Sequence, residues 1–358
     1  MKATSPALYN LAPPEIESLL RNWGQPAYRA RQIYRQLYVN LVSDPARMSD
    51  LPRALRDRLA AGCRAEELAL ERTQTGYRGQ TIKAVFRVDG GPAVESVLML
   101  YRDRATVCVS TQSGCAMACS FCATGTMGFR LNLTAGQIVE QVIWAAREVR
   151  TRATGSVRAL GNVVFMGMGE PFNNYDRWWA AVERLHDPAG FNLGARSFTV
   201  STVGIVPGIR RLAGEKLPVN LAVSLHAADD ELRTRLVPVN KRYPVARLME
   251  AVRDYTALTR RRVSFEYVLL DGVNDRPQQA ERLGALLAGR RDGRGPLLCH
   301  VNLIPWNPVP EMPLGPSRRE RVNAFRDIVE QHGIACTVRV QRGLDIAAAC
   351  GQLAGSAR

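Results

Sequence analysis

Little in this sequence points to a membrane, a secreted scaffold or a disordered chain. No apolar run approaches the length of a bilayer span, and Met1-Lys2-Ala3-Thr4-Ser5-Pro6 leads into no apolar segment of signal-peptide type. The expectation is a cytoplasmic protein with no membrane partner. Low-complexity segments and internal repeats are missing too, while 46% hydrophobic and 23% charged residues are ordinary for a globular domain. Acidic residues are in deficit: 33 Asp and Glu stand against 48 Lys and Arg, a net charge of +15 that favours a polyanionic partner. Arginines cluster at Arg147, Arg150, Arg152 and Arg158, at Arg210-Arg211 and at Arg260-Arg261-Arg262. Each neutralised phosphate would add a salt-sensitive increment of affinity, although any single cluster reads equally well as a solvated helix face. Histidine is scarce, with four in 358 residues.

Cysteine is not scarce. Eight cysteines in a reducing compartment argue against a disulfide framework and for metal or redox chemistry. Three of them stand in Cys115-Ala116-Met117-Ala118-Cys119-Ser120-Phe121-Cys122, at spacing C-x3-C-x2-C. An electron-transfer [4Fe–4S] centre takes four thiolates, so three leave one iron open to a ligand. The alternative is structural zinc, which needs a fourth ligand nearby. The nearest histidine in sequence is His186, far from the loop, and Phe121 puts an aromatic wall inside it. Cys63, Cys299 and Cys336 read as small buried hydrophobes, and so would Cys108 and Cys350 if each stood alone.

The first ninety or so residues read as a small helical module. Pro13-Pro14-Glu15 opens one helix, Ile33, Tyr34, Leu37 and Tyr38 carry the helical period of a second between Arg29 and Val39, and a third spans Ala54 to Ala60. Residues 81–88 and 93–100 flank Asp89-Gly90-Gly91 as a hairpin. From about residue 104 strands alternate with helices. The strand candidates are 105–110, 162–166, 197–201, 219–224, 263–270 and 299–304. Among the helices are 135–149 and 245–258, and Thr134 to Gln137 and Ser317 to Glu320 have the pattern of a capping box. Six βα units predict an α/β chain with a partial (β/α)6 barrel and a small helical N-terminal accessory domain; a doubly wound open sheet is the alternative. The expected division is 1–90 helical accessory, 91–345 core and 346–358 tail. Catalytic groups belong at the carboxyl ends of the strands, which is where the cysteine loop falls.

The cysteine run resembles the motif of the radical S-adenosylmethionine enzymes. Asn162-Val163-Val164-Phe165-Met166-Gly167-Met168-Gly169-Glu170-Pro171 is a strand entering a glycine turn with an acid at its tip, similar to that family's GGEP-type element. Further motifs are Cys108-Val109-Ser110-Thr111-Gln112-Ser113-Gly114-Cys115, Ser224-Leu225-His226-Ala227, Asn302-Leu303-Ile304-Pro305-Trp306-Asn307 and the tail AACGQLAG. Taken together, over nearly the whole chain and most strongly from 93 to 355, these resemble the radical S-adenosylmethionine RNA adenine-C2 methyltransferases, the RlmN type.

The resemblance implies a [4Fe–4S] cluster on Cys115, Cys119 and Cys122. It implies S-adenosylmethionine contacts at Gly169, Glu170, Ser201, Ser224, Leu225, His226 and Asn307. Two S-adenosylmethionine molecules serve each turnover: one methylates Cys350, and the other is cleaved so that the S-methyl group adds to carbon 2 of an adenine. Glu95 is implied as the proton acceptor, a role for which Cys108 also has a claim. Cys108 is implied to resolve the covalent RNA adduct through a transient disulfide with Cys350. The implied partners are an adenosine at the peptidyl-transferase centre of 23S rRNA and, in some members, the adenosine beside the anticodon of tRNA. Flavodoxin as electron donor, a cellular thiol reductant and a monomeric state complete the expectation. The alternatives are a carbon-8 adenine methyltransferase of the antibiotic-resistance type, a noncatalytic Fe–S or zinc protein that binds RNA, and a radical enzyme that modifies peptides.

Overall fold

The computed structural model describes residues 5–76, 78–152, 157, 159–290, 293–310 and 312–354. Three helices, Pro13–Asn22, Tyr28–Arg35 and Arg53–Gly62, form the N-terminal module; a π-helical turn, Gln36–Asn40, extends the second. Twelve strands follow in chain order: β1 Leu68–Gly76, β2 Thr81–Val88, β3 Ala93–Leu100, β4 Ala105–Cys108, β5 Gln112–Gly114, β6 Phe129–Asn132, β7 Asn162–Phe165, β8 Phe198–Thr202, β9 Asn220–Ser224, β10 Val263–Leu269, β11 Cys299–Pro305 and β12 Cys336–Val338.

Ten of the strands form one mixed sheet in the order β1-β2-β3-β4-β7-β8-β9-β10-β11-β12, and β5 and β6 pair apart from it. From β4 onward every neighbour is parallel. Strand order increases in one direction without the reversal that a doubly wound sheet requires, so this is the partial barrel. All six expected strands are present. The short β12, parallel to β11 through Val301↔Cys336, and the long β1, antiparallel to β2, extend the sheet beyond them. Helix Ala135–Thr151 begins with the expected capping box: the Thr134 Oγ1 accepts from the Gln137 amide at 3.1 Å and the Gln137 Oε1 from the Thr134 amide at 3.0 Å. The Ser317 pattern does not cap helix Arg319–Gln331, because its Oγ donates instead to the buried Asp275 carboxylate at 2.7 Å.

The module is stitched to the core by polar contacts as well as by a shared apolar core. Glu140, on the helix 135–151, accepts from the backbone amides of Glu67 and Leu68 where the chain enters β1. Arg147 and Arg150, from one of the clusters read as RNA-binding, donate to the carbonyls of Leu41, Asn40 and Val39. Those two arginines serve the junction between module and core, whereas Arg158 of the same cluster lies outside the described residues. The expected boundary at residue 90 falls in the tight turn between β2 and β3, within the sheet. No described helix is long and apolar enough to cross a membrane.

Candidate active site

The parallel strands end around two adjoining cavities. The larger, of about 960 Å³, is lined by Cys115, Cys119 and Cys122 and by Gly169, Glu170, Ser201, Ser224, His226 and Asn307. The second, of about 780 Å³, is lined by Cys108, Cys350, Val97, Met99, Tyr101 and Arg342. Cys122, Met166, Asn307, Arg339 and Cys350 line both.

The cysteine loop leaves the β5–β6 hairpin and is pinned from three sides. The Trp306 indole donates to the Phe121 carbonyl at 3.0 Å, the Ser120 amide to the Leu236 carbonyl at 3.0 Å, and the Ala123 amide to the Gly351 carbonyl at 2.8 Å. Burial pushes the Cys115 thiol up to about 12 and raises Cys119 and Cys122 as well. Metal binding would deprotonate such thiols outright. Among the described residues no three His, Cys, Asp or Glu side chains form the compact ligand set of one metal ion. A four-iron cube, in which each thiolate holds a different iron, does not require such a set. The donor set fits that group: three thiols from one loop line a cavity whose lining also includes Asn307 and Glu266, with the buried Asn307 Oδ1 and Glu266 Oε2 without hydrogen-bond partners among the described residues.

The glycine turn after β7 is shaped by its neighbour strand. A Cβ on Gly167 would meet the Ser110 Oγ at 2.7 Å, and one on Gly169, at φ +97°, would meet the Gln112 Cβ at 2.5 Å. The Glu170 carboxylate folds back to accept from the Phe172 amide at 3.0 Å and the Val203 amide at 2.8 Å. Burial nonetheless pushes it up to about 7. Ser201 and Ser224 face each other, Oγ to Oγ, at 3.3 Å. The Leu225 side chain is buried outside the cavity lining, and its amide donates to the Glu266 carbonyl. His226, at φ +61°, accepts at Nδ1 from the Val268 amide at 3.1 Å, which places the remaining ring proton on Nε2. Burial, with help from the Arg233 charge, lowers its pKa to about 3, so it is a neutral imidazole packed edge-on to Phe121 at 4.7 Å.

The tail is threaded over this mouth. Asn307 Nδ2 holds the Cys350 carbonyl at 2.8 Å, Thr124 Oγ1 holds the Leu353 carbonyl at 2.5 Å, and the Ala354 amide donates to Glu95 at 3.2 Å. Glu95 is not a solvated acid. It is fully buried, 3.6 Å from the equally buried Lys83, which also reaches the Ala347 carbonyl. All eight cysteines are free thiols, so the expected disulfide is not a bond of this structure. Burial, then the neighbouring Cys350, pushes the Cys108 thiol up to about 12. Cys63, Cys299 and Cys336 are buried thiols remote from the cavity lining.

Sequence reasoning did not single out Lys83, Arg339, Glu266 or Arg233. A lysine within the apolar Thr81–Val88 and an arginine directly after β12 are the signals that were there to read. Arg339 lines both cavities, and its pKa is raised by charge at Cys350 and at Glu266 against the cost of burial.

Residues 109–283 match the family described as the radical SAM superfamily, and residues 7–64 match the ribosomal RNA large subunit methyltransferase N-terminal domain. The chain is 59% identical to a probable dual-specificity RNA methyltransferase RlmN of Roseiflexus sp., over 99% of this chain and 97% of that protein. It is 62% identical to a protein of the same description from Chloroflexus aurantiacus, over 97% and 92%. A crystal structure of a radical SAM methyltransferase from Sphaerobacter thermophilus, 51% identical, superposes with a TM-score of 0.93 over 98% of this chain and all of that one. These relatives decide for the RlmN type over the carbon-8 resistance type, and with it for an iron–sulfur cluster and S-adenosylmethionine as cofactors and RNA as substrate. The chain belongs to the RlmN family of radical S-adenosylmethionine RNA methyltransferases.

Proposed function

We propose that the protein methylates carbon 2 of one adenosine in 23S rRNA, and of the adenosine beside the anticodon in tRNA, by way of methylated Cys350. The observation that carries this reading is the position of Cys350, whose side of the tail lines both cavities at once. Cys115, Cys119 and Cys122 would hold the cluster. Bound there, it supplies one-electron cleavage of S-adenosylmethionine. The larger cavity orients that substrate with Gly169, Glu170, Ser201, Ser224, Asn307 and the backbone around Leu225 and His226.

Cys350 attacks the methyl carbon of a first S-adenosylmethionine: the sulfur–methyl bond forms as the sulfonium bond breaks, and a neutral thioether leaves. In the second half of the turnover that carbon, having given a hydrogen atom to the radical cleaved from the second S-adenosylmethionine, bonds to carbon 2 of the adenine. The odd-electron adduct gives up one electron, back to the cluster, and its carbon-2 proton, which Glu95 or Cys108 removes. The Cys108 thiolate then bonds to the Cys350 sulfur as the sulfur–methylene bond breaks, the released carbanion takes a proton to become the methyl group, and a disulfide is left for a cellular thiol to reduce. Buried Glu95 beneath the tail and Cys108 in the Cys350 cavity support these roles. A target base has to leave its stack to reach this depth. We assign RNA gripping to the helical module within residues 1–90, catalysis to 91–345 and methyl carriage to 346–358, in a monomer served by flavodoxin.

The test is anaerobic reconstitution with S-adenosylmethionine, reductant and unmodified ribosomal RNA, beside Cys350→Ala, followed by nucleoside mass analysis. 2-Methyladenosine that disappears in the variant is expected. 8-Methyladenosine, or no methylated adenosine from a cluster that cleaves S-adenosylmethionine, would overturn the reading.

A further inference from the structure

Arg233 is a fully buried cation on the short helix Asp230–Leu236. Its guanidinium is spread over neutral acceptors: the Leu225 carbonyl at 3.0 Å, the Asn240 Oδ1 at 2.8 Å, and the Val203 and Ser224 carbonyls at 2.6 and 3.2 Å. The carboxylate nearest in that network, Asp230, is reached only through Asn240 and already accepts from the Val245 amide at 2.7 Å. A buried charge that lacks a direct partner is costly, and it persists where another charge offsets it.

The same helix touches the cluster loop. Leu232 and Leu236 pack with Cys119 and Phe121 in one apolar group, and the Leu236 carbonyl accepts from the Ser120 amide at 3.0 Å. Burial pulls the Arg233 pKa down to about 10, and charge at Cys119 opposes this more than charge at Asp230 does. The three carbonyls that Arg233 gathers belong to the ends of β8 and β9, where Ser201, Ser224 and Leu225 stand, and the Val203 amide holds Glu170.

We propose that Arg233 is a positioning residue for the cluster: a fixed internal counter-charge to the thiolates of Cys115, Cys119 and Cys122 that raises the cluster's reduction potential. The proposal rests on the assignment of those cysteines to a [4Fe–4S] cluster. Adding an electron makes a thiolate-bound cube more negative, and a buried cation on the helix that packs against the cluster loop stabilises that extra charge through a low-dielectric interior. Arg233 also ties the strand ends of the S-adenosylmethionine site to the cluster loop through one helix.

The test is a redox titration of the reconstituted cluster, followed by electron paramagnetic resonance without S-adenosylmethionine or RNA, in wild type, Arg233→Gln and Arg233→Lys. At a fixed applied potential the ratio of reduced to oxidised cluster falls at least tenfold in Arg233→Gln, a negative shift of about 59 mV for one electron. Arg233→Lys, which keeps the charge and loses the fork, stays near wild type. No shift, or the same shift in both variants, would overturn the proposal, since a purely structural role does not distinguish Lys from Gln. If the Gln variant fails to fold, hydrogen exchange on the wild type decides. Amides of residues 229–245 are expected to exchange faster once the iron is chelated away, and unchanged exchange there would overturn it. A wild type that gives no [4Fe–4S] signal would overturn the cluster assignment itself, and the proposal with it.

Discussion

Asn307 gives its Nδ2 to the Cys350 carbonyl at 2.8 Å and keeps a buried Oδ1, with no hydrogen-bond partner among the described residues, at the wall common to both cavities. A buried acceptor left in this state costs free energy until a donor arrives. An amino or hydroxyl group of a bound ligand is such a donor. We expect Asn307→Leu to weaken S-adenosylmethionine binding by about 10- to 100-fold, corresponding to the roughly 1–3 kcal/mol of one buried hydrogen bond. Equilibrium dialysis with the cluster-loaded protein measures it, and unchanged affinity would place the ligand elsewhere.

Lys83 and Glu95 form an ion pair whose side chains are 4% and 1% exposed. Removing one partner strands the other charge in the interior. Lys83→Met is therefore expected to lower folding stability by about 3–5 kcal/mol, and adding Glu95→Gln to recover most of it. Urea unfolding of the single and double variants reads this directly. Equal stability of the two would mean that water reaches the site.

The Cys108 thiol, pushed up to about 12 by burial and by Cys350, is protonated at neutral pH. In the release step proposed above, the attacking form would be its thiolate. Release of RNA from the covalent adduct should then accelerate about tenfold per pH unit between pH 7 and 10, and Cys108→Ala should leave the adduct in place. Rapid quenching and denaturing gels follow it; a flat profile would assign release to another group.

Burial pushes Glu140 up to about 8, against the backbone amides of Leu68 and Glu67 that favour its charged form. A carboxyl whose folded pKa is raised contributes stability that is complete below its ordinary range near 4.5 and is lost as pH climbs through about 8. Glutamine does not titrate. Relative to wild type, Glu140→Gln should gain stability from pH 5 to about pH 8 and level off above that, whatever its offset at the acid end. Thermal melts across that range check the slope.

The parallel core was legible because strands such as β4 and β10 are buried on both faces and read as apolar runs between helices, and because the cysteine run is contiguous. The rest depends on contacts between distant residues. Lys83 meets Ala347 across 264 positions and Thr124 meets Leu353 across 229, and no local pattern announces either. β12 is three residues long, too short to show a period. Ser317 had the pattern of a cap, yet a buried carboxylate 42 residues away outcompeted the local amide. His226 was placed at the ligand site by its motif. That it is a neutral ring wedged against Phe121 comes from burial and the nearby Arg233 charge.

One cysteine, Cys350, belongs to the lining of two chambers. Whatever Cys350 carries takes up room in both, so a substituent added from one side is felt at once as a change of shape on the other. The backbone around it need not move, since Asn307, Thr124 and Ala123 hold the tail by its main chain and leave the side chain free of that task. The chemical state of a single residue is thereby written into the shape of both chambers, with no hinge required.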